Sequence, residues 1–331
     1  MPATISIIGG GAWGTALAVA SRRAGNDVLI WAHESEVANA INTGHENPLY
    51  LPGRALDPEI RATAELSETA NADFVILAAP AQHLRRTIGP LAGQVSPATP
   101  LVICAKGIEE GTSALMSEVV SALFPANPLM VLSGPTFAAE VADGLPTAVT
   151  LAAEDFATAQ RGADIISSDR FRPYSADDVT GAQIGGSIKN VLAIACGIAE
   201  GRGFGDNARA ALITRGLAEL TRLCLAKGGR AETMAGLSGL GDLVLTCTST
   251  QSRNYSLGLA LGAGRTLAEI LDERNSVAEG VFTASAAVAL AEKIGIEMPI
   301  ATAVDAVLNR NADIDIVIEA LLSRPLRAEA D

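Results

Sequence analysis

The sequence predicts an α/β protein in two parts: a parallel sheet covered by helices up to about residue 180, then an all-helical domain over 181–331. Three observations predict it. In the first half, wholly apolar runs of four or five residues alternate with helical stretches, the pattern of strands buried on both faces. Beyond about Asp177, long Ala/Leu/Ile-rich stretches of helical period take their place. The chain also opens on strand, glycine turn and helix: Ile5-Ser6-Ile7-Ile8, then Gly9-Gly10-Gly11-Ala12-Trp13-Gly14, then Thr15-Ala16-Leu17-Ala18-Val19-Ala20.

That opening builds a phosphate site from backbone. Gly9, Gly11 and Gly14 stand at G-x-G-x-x-G spacing; the first permits a tight turn, the second lets a pyrophosphate approach, and the third lets the helix pack on the strand. The helix N-terminus adds unpaired N–H groups and about half a positive charge. Ordinary glycine turns match such a pattern too, but here the strand before and the helix after favour a dinucleotide site. A second strand over 27–31 and a short helix over 35–41 follow. Residues 74–77, 101–104 and 129–132 are apolar throughout and read as buried strands, separated by helices near 84–91 and 114–123. Residues 147–152 and 171–174 add further strands. Helical period then marks 179–199, 207–226, 253–261, 283–293 and 301–308, and 327–331 reads as a frayed end.

Composition narrows the function. The 331 residues carry 37 acidic and 24 basic side chains, a formal net charge of −13. Such a surface argues against nucleic acid and anionic membrane as partners. A site for an anionic substrate must therefore gather its few cations locally, so single Lys and Arg residues matter. Cys104, Cys196, Cys224 and Cys247 are scattered, with no C-x-x-C pair, and read as buried free thiols of a reducing cytosol. The N-terminus lacks a basic leader region. Residues 119–139 carry no charge, but Pro125, Pro128 and Pro135 interrupt them, which excludes one spanning helix.

Ligands of open parallel sheets bind beyond the carboxyl ends of the strands. Three polar turns fall there: Ala79-Pro80, Lys106-Gly107, and Ser133-Gly134-Pro135-Thr136-Phe137-Ala138. Lys106 is thereby aimed at the crevice where a nicotinamide belongs, although a solvated strand-end lysine is the plain alternative. Lys189 sits inside an apolar helix whose stripe is Ile184, Ile188, Val191, Ala195 and Ile198, and it leans over Gly185-Gly186. Two mid-helix glycines cost roughly 0.5–1 kcal/mol each, sensible if something must approach beside the lysine. A partly desolvated lysine near another cation has a lowered pKa and suits a general base; a snorkelling helix-edge lysine is the bland reading. Gly236-Leu237-Ser238-Gly239-Leu240-Gly241-Asp242 delivers one carboxylate, or merely caps a helix. Ser249-Thr250-Gln251-Ser252-Arg253-Asn254 opens a helix with hydroxyls, a guanidinium and N–H groups, the chemistry of a phosphate cradle or of a simple N-cap. Glu279 has no reading from physics alone, and no residue pattern points to a metal.

With these segments in place, the chain resembles bacterial NAD(P)-dependent glycerol-3-phosphate dehydrogenases from Gly9 to about Ala287. The resemblance is carried by the 9–18 glycine block, Tyr50-Leu51-Pro52-Gly53, Ala105-Lys106-Gly107, Ser133 to Ala138, Lys189-Asn190-Val191, Gly205-Asp206-Asn207, Leu240-Gly241-Asp242-Leu243, Gln251-Ser252-Arg253-Asn254 and Glu279-Gly280. It implies a Rossmann-like domain followed by a helical domain like the C-terminal part of 6-phosphogluconate dehydrogenase. It also implies Lys189 as proton acceptor, with Lys106 and Asp242 beside it in catalysis. Substrate contacts implied are Lys106, Gly134, Thr136, Lys189, Asp242, Ser252, Arg253 and Asn254. Cofactor contacts implied are Gly9, Gly11, Ala12, Trp13, Gly14, His33, Lys106, Ala138, Arg253, Val277 and Glu279. Glu200, where the family pattern has Asp, and Leu56-Asp57-Pro58 depart from it, neither at a catalytic position.

The expected reaction interconverts dihydroxyacetone phosphate and sn-glycerol 3-phosphate, serving phospholipid synthesis in the cytoplasm, in a homodimer. Cofactor choice stays open. An acid after the second strand selects NAD through the ribose 2′-hydroxyl; here the strand runs into Ala32-His33-Glu34, where His33 can accommodate a 2′-phosphate and an inward Glu34 repels one. Use of both NAD and NADP is expected, with a slight lean to NADP. A β-hydroxyacid dehydrogenase of related architecture and a non-catalytic NAD(P)-binding regulator remain as alternatives.

Overall fold

The computed structural model describes residues 2–273, 279–326 and 328. Met1–Lys106 with Leu115–Ala182 forms one compact unit, and Gly107–Ala114 with Gln183–Asp331 forms the other. The chain runs β1 (Thr4–Ile8), α1 (Ala12–Arg23), β2 (Asp27–Trp31), α2 (Ser35–Gly44), β3 (Glu46–Asn47), β4 (Leu51–Ala55), β5 (Arg61–Thr63), β6 (Phe74–Leu77), α3 (Ala81–Ile88), β7 (Leu101–Ile103), α4 (Met116–Leu123), β8 (Leu129–Ser133), α5 (Ala138–Ala142), β9 (Thr147–Ala153), α6 (Phe156–Ile166) and β10 (Phe171–Ala176). It continues with helices only: α7 (Val179–Gly201), α8 (Gly205–Ala226), α9 (Ala231–Met234), α10 (Asp242–Thr248), α11 (Arg253–Gly262), α12 (Leu267–Asp272), α13 (Glu279–Ile294), α14 (Pro299–Asn309) and α15 (Ile314–Leu322).

In the first unit, eight strands form one sheet in the order β10-β9-β8-β7-β6-β1-β2-β5. Its inner strands are apolar because helices cover both faces; Ile5, Ile7 and Ile8 of β1 and all of β6 are buried. The pairings are parallel except one. β9 runs antiparallel to β8, with Leu132 opposite Leu151, so the expected parallel sheet is mostly, not wholly, parallel. The helix in that connection, α5, has five residues and is about 7.5 Å long, too short to carry the chain back along the strand for a parallel return. The β3–β4 hairpin was not expected from the sequence, because it offers two polar residues and the unpromising Leu-Pro-Gly-Arg-Ala.

In the second unit, α7 is long and apolar enough to cross a membrane, but 94% of its apolar window is buried within the protein. Two pairs of glycines explain how α7 is buried against α11. A Cβ on Gly197 would overlap Tyr255 O and one on Gly201 would overlap Leu259 O; reciprocally, one on Gly258 would overlap Ile194 O and one on Gly262 would overlap Ile198 O. Only hydrogen atoms fit between the two backbones. All four cysteines are free and buried, as expected, and burial pushes the Cys104 thiol up to about 12.

Glu219 of α8 closes the first turn of α14. Its carboxyl accepts from Ile300 N at 2.6 Å and Ala301 N at 3.2 Å, and it is 1% exposed. Burial raises its pKa to about 7, opposed by those two N–H groups and by Arg222. Between its ordinary value and about 7 the folded protein keeps a proton that the unfolded chain releases, so this group's contribution to stability falls as pH rises through that window. Glu219→Gln should flatten the dependence of unfolding free energy on pH between about 5 and 7.5, by on the order of 3 kcal/mol at most; denaturant titrations at the two ends measure it. The glycine crossing sets a second expectation. Gly258→Ala should destabilise by about 2 kcal/mol or more through backbone overlap, whereas Gly44→Ala at the end of α2, whose Cβ meets nothing within 4 Å, should stay within about 0.5 kcal/mol or gain. Thermal melts of the pair decide it.

Candidate active site

In the first unit the site begins at the glycine turn after β1. Gly9 has φ +130°, its N–H donates to Trp31 O (3.0 Å), and a Cβ there would lie 2.8 Å from the Ala78 backbone. At Gly14 a Cβ would overlap Gly9 O, so its absence seats α1 on the turn. At Gly11 a Cβ meets nothing within 4 Å. Two glycines thus answer to the protein's own packing, and the third faces open space. Gly11 is also the N-cap of α1, and no side chain caps the helix, leaving first-turn N–H groups for an anion. Ala12 and Trp13 open the helix. Trp13 Nε1 is shut from solvent and has no hydrogen-bond partner within the protein. An open cradle with a donor lacking an acceptor suits a bound dinucleotide.

Asn47, at 0% exposure, donates to Gly10 O and to Thr15 Oγ1, both at 2.8 Å, and so ties the β3–β4 hairpin to the turn. Beyond β2, the His33 ring lies against Trp31 with centroids 6.0 Å apart, and Glu34 Oε1 accepts from Tyr50 Oη at 3.0 Å. At the ends of β7 and β8, Gly134 O gathers two donors, Lys106 Nζ at 3.2 Å and Thr136 Oγ1 at 3.3 Å. Gly134 has φ +153°, and a Cβ there would press on Val149 at 2.9 Å. The structure therefore brings Lys106, Gly134 and Thr136 together. Ala138 opens the neighbouring α5.

In the second unit Lys189 is 6% exposed on α7, and its Nζ donates to Asp242 Oδ1 at 2.5 Å. Asp242, at 0% exposure, begins α10 directly after a single π-helical stretch, Leu237–Gly241. The expected glycine turn is this π segment, and it explains Gly185. A Cβ on Gly185 would overlap the Ser238 carbonyl, so the missing side chain admits the strand of backbone that carries Asp242. The partner found is the carboxylate of Asp242, which the resemblance set beside the lysine where the residues alone suggested a cation. Thr246, one turn along α10, donates to Asp242 O at 2.6 Å, and Ser187 donates to Gly107 O at 3.1 Å. Neither Thr246 nor Ser187 nor Asn47 stood out in the sequence. A hydroxyl four residues after Asp242 was the one signal present for Thr246.

Ser252 is the N-cap of α11, accepting from Tyr255 N at 3.2 Å, which leaves its hydroxyl proton to donate elsewhere. Asn254 Oδ1 accepts from Gly280 N at 3.1 Å, so its amide N–H groups remain the donors on offer. Arg253 is exposed between them. Glu279 begins α13; Val277 lies outside the described residues. Among the described residues no three His, Cys, Asp or Glu side chains cluster to hold a metal.

Residues 4–159 match the model of the NAD-dependent glycerol-3-phosphate dehydrogenase N-terminus, and residues 178–319 match that of its C-terminus. The chain belongs to the NAD-dependent glycerol-3-phosphate dehydrogenase family. It is 60% identical to the glycerol-3-phosphate dehydrogenase [NAD(P)+] of Rhodospirillum rubrum over 98% of this chain and 93% of that one. The enzyme of the same description from Parvibaculum lavamentivorans is 56% identical, with 98% of each chain covered. The crystal structure of glycerol-3-phosphate dehydrogenase from Coxiella burnetii superposes with a TM-score of 0.93 at 38% identity, over 98% of this chain and 99% of that one. The sheet followed by helices is thus the fold of this dehydrogenase family, as the resemblance implied.

The pair at the centre of the second unit makes a direct prediction. Asp242→Asn leaves a buried ammonium without its counter-charge, which should destabilise the protein by about 3–5 kcal/mol. Lys189→Met together with Asp242→Asn should recover about half of that loss; urea unfolding of the three proteins measures it.

Proposed function

We propose that Lys189 carries the proton in the interconversion of dihydroxyacetone phosphate and sn-glycerol 3-phosphate, the reaction of this NAD(P)-dependent oxidoreductase. The observation that supports it is a lysine buried on an apolar helix, held by one carboxylate, in a chain whose other unit offers an uncapped glycine cradle. Gly9, Gly11, Ala12, Trp13 and Gly14 would hold the dinucleotide, with His33, Lys106, Ala138, Arg253, Val277 and Glu279 as further contacts. When bound, the nicotinamide accepts or supplies the hydride at C2 of the substrate.

In the oxidative direction Lys189 takes the proton of the C2 hydroxyl; in the reductive direction its ammonium polarises the carbonyl and returns the proton. Asp242 fixes the amine in place. Lys106, which shares Gly134 O with Thr136, would steady the charge that develops on the substrate oxygen. Arg253 holds the phosphate bidentately, with Ser252 and Asn254 donating to the remaining oxygens. The phosphate is remote from C2, so its binding energy serves to position the reacting carbon.

We assign the helical part, from about residue 181, to substrate and catalysis and the part before it to the cofactor. A cytoplasmic homodimer supplying glycerol 3-phosphate for phospholipids is the setting this reading favours. Lys189→Ala should lower turnover by about 10²–10⁴-fold while binding of reduced cofactor, followed by its fluorescence, stays within a few-fold of the parent. Turnover near the parent's would remove Lys189 from the role.

A further inference from the structure

Asn47 is fully buried, and both ends of its amide are engaged within the first unit. Its Nδ2 donates one proton to Gly10 O and the other to Thr15 Oγ1, both at 2.8 Å, while its Oδ1 accepts from Tyr50 N at 3.2 Å. That last bond fixes which end of the amide faces the glycine turn. The hairpin is shaped to deliver it. Pairing breaks register between Glu46 and Asn47, with Glu46 opposite Ala55 but Asn47 opposite Leu51, an irregularity of the kind that re-aims a side chain. The far strand is clamped in turn. Gly53 N donates to Glu46 Oε1 at 2.8 Å, and Arg54 of β4 donates to both carboxylate oxygens of Asp143, the C-cap of α5, at 2.8 and 3.0 Å.

The bond to Gly10 O does more than hold the loop. A trans peptide is planar, with its C=O and N–H on opposite sides. Gly10 O, turned inward onto a buried amide, therefore sends the N–H of Gly11 the other way, away from Asn47. Nothing in the covalent chain enforces that choice. Gly10 and Gly11 both lack a Cβ, so turning the peptide unit between them over brings little steric cost. In the flipped arrangement a carbonyl oxygen faces the side opposite Asn47, just before the uncapped N-terminus of α1. An anion arriving there would meet the negative end of a peptide dipole in place of the positive one.

We propose that Asn47 is a positioning residue of the cofactor site: by holding Gly10 O it decides which face of the Gly10–Gly11 peptide meets the ligand, and so makes the turn a receptor for a diphosphate. This rests on the glycine turn being the dinucleotide site. The diphosphate is common to NAD(H) and NADP(H), so the effect is the same for both and takes no account of the 2′ substituent. Thr15 receives the other proton and steadies the amide itself. Its loss costs stability but leaves the bond to Gly10 O in place, which makes it the control.

The test reads binding in the absence of substrate, well below each protein's thermal midpoint. Dissociation constants for NADH and NADPH are measured by cofactor fluorescence and that for ADP-ribose by calorimetry, with kcat and KM alongside. Asn47→Asp keeps the acceptor for Tyr50 N but sets a carboxylate oxygen against Gly10 O. It should weaken NADH, NADPH and ADP-ribose in equal proportion, by about tenfold or more, raising the cofactor KM with kcat at saturation held within a few-fold. Asn47→Ala, which adds no charge, should show the same uniform loss. Thr15→Val should lower the thermal midpoint and leave the three dissociation constants within a few-fold of the parent's. Unchanged binding in the Asn47 variants, a loss confined to one of the two cofactors, or a loss in Thr15→Val as large as in Asn47→Asp overturns the positioning role while leaving the glycine-turn site standing. Failure of both Asn47 variants to fold does the same, since it makes the residue structural. Absence of cofactor binding by the parent overturns the site reading and this one with it.

Discussion

Lys189 has a carboxylate against it because residue 185 has no side chain. An ammonium buried to 6% exposure needs a counter-charge within contact distance, and Asp242 brings one directly after the π-helical stretch Leu237–Gly241, whose Ser238 carbonyl occupies the place where a Cβ of Gly185 would be. Much of the second unit follows from that approach. Asp242 heads α10, α10 ends at Thr248, and four residues later Ser252 caps α11. α11 then returns to α7 through the Gly197, Gly201, Gly258 and Gly262 crossing. The helix bearing the lysine and the helix bearing Ser252, Arg253 and Asn254 are therefore spaced by backbone against backbone, with no flexible side chain between them. Such spacing suits a reaction in which a misplacement of about 1 Å is costly.

The first unit uses the same economy at its glycine turn. Gly9 and Gly14 are spent on packing, against Ala78 and against Gly9 O, and Gly11 is left facing outward. Asn47 then fastens the turn from the far side of the chain. A loop of bare backbone is otherwise the least ordered kind of segment; one buried amide with two donors is what fixes it. The hairpin that supplies Asn47 is small, but it holds both the glycine turn and Glu34 beyond β2.

Much of this was legible in the sequence, and the reasons are specific. Ile5–Ile8, 74–77 and 129–132 announce themselves as strands because burial on both faces leaves Ser6 as their one polar residue. Lys189 stood out because a lysine between Ile188 and Val191 has no solvated reason to be there. Two things did not come through. The reversal of β9 depends on the length of the helix before it, and an apolar strand reads the same in either direction. Asn47 and Ser187 act through bonds to the backbone of residues 37 and 80 positions away, and local pattern carries no trace of such partners. Gly185 was read as room for something to enter, and room it is, though what enters is the chain's own backbone. The bland alternative for Ser252, an N-cap, is also what the structure shows; capping and donating are compatible for a hydroxyl.

One feature of connectivity reaches beyond the site. Residues Gly107–Ala114 leave the sheet after β7 and pack with the helical unit before the chain goes back to form α4 and β8, and Ser187 Oγ is anchored on Gly107 O in that segment. The helical part is therefore not a cassette. Cutting the gene near residue 180 separates the sheet from its helices on paper but strips the second unit of its own early segment, so exchange of halves between relatives works at the level of folding only if that short excursion travels with the helices it serves.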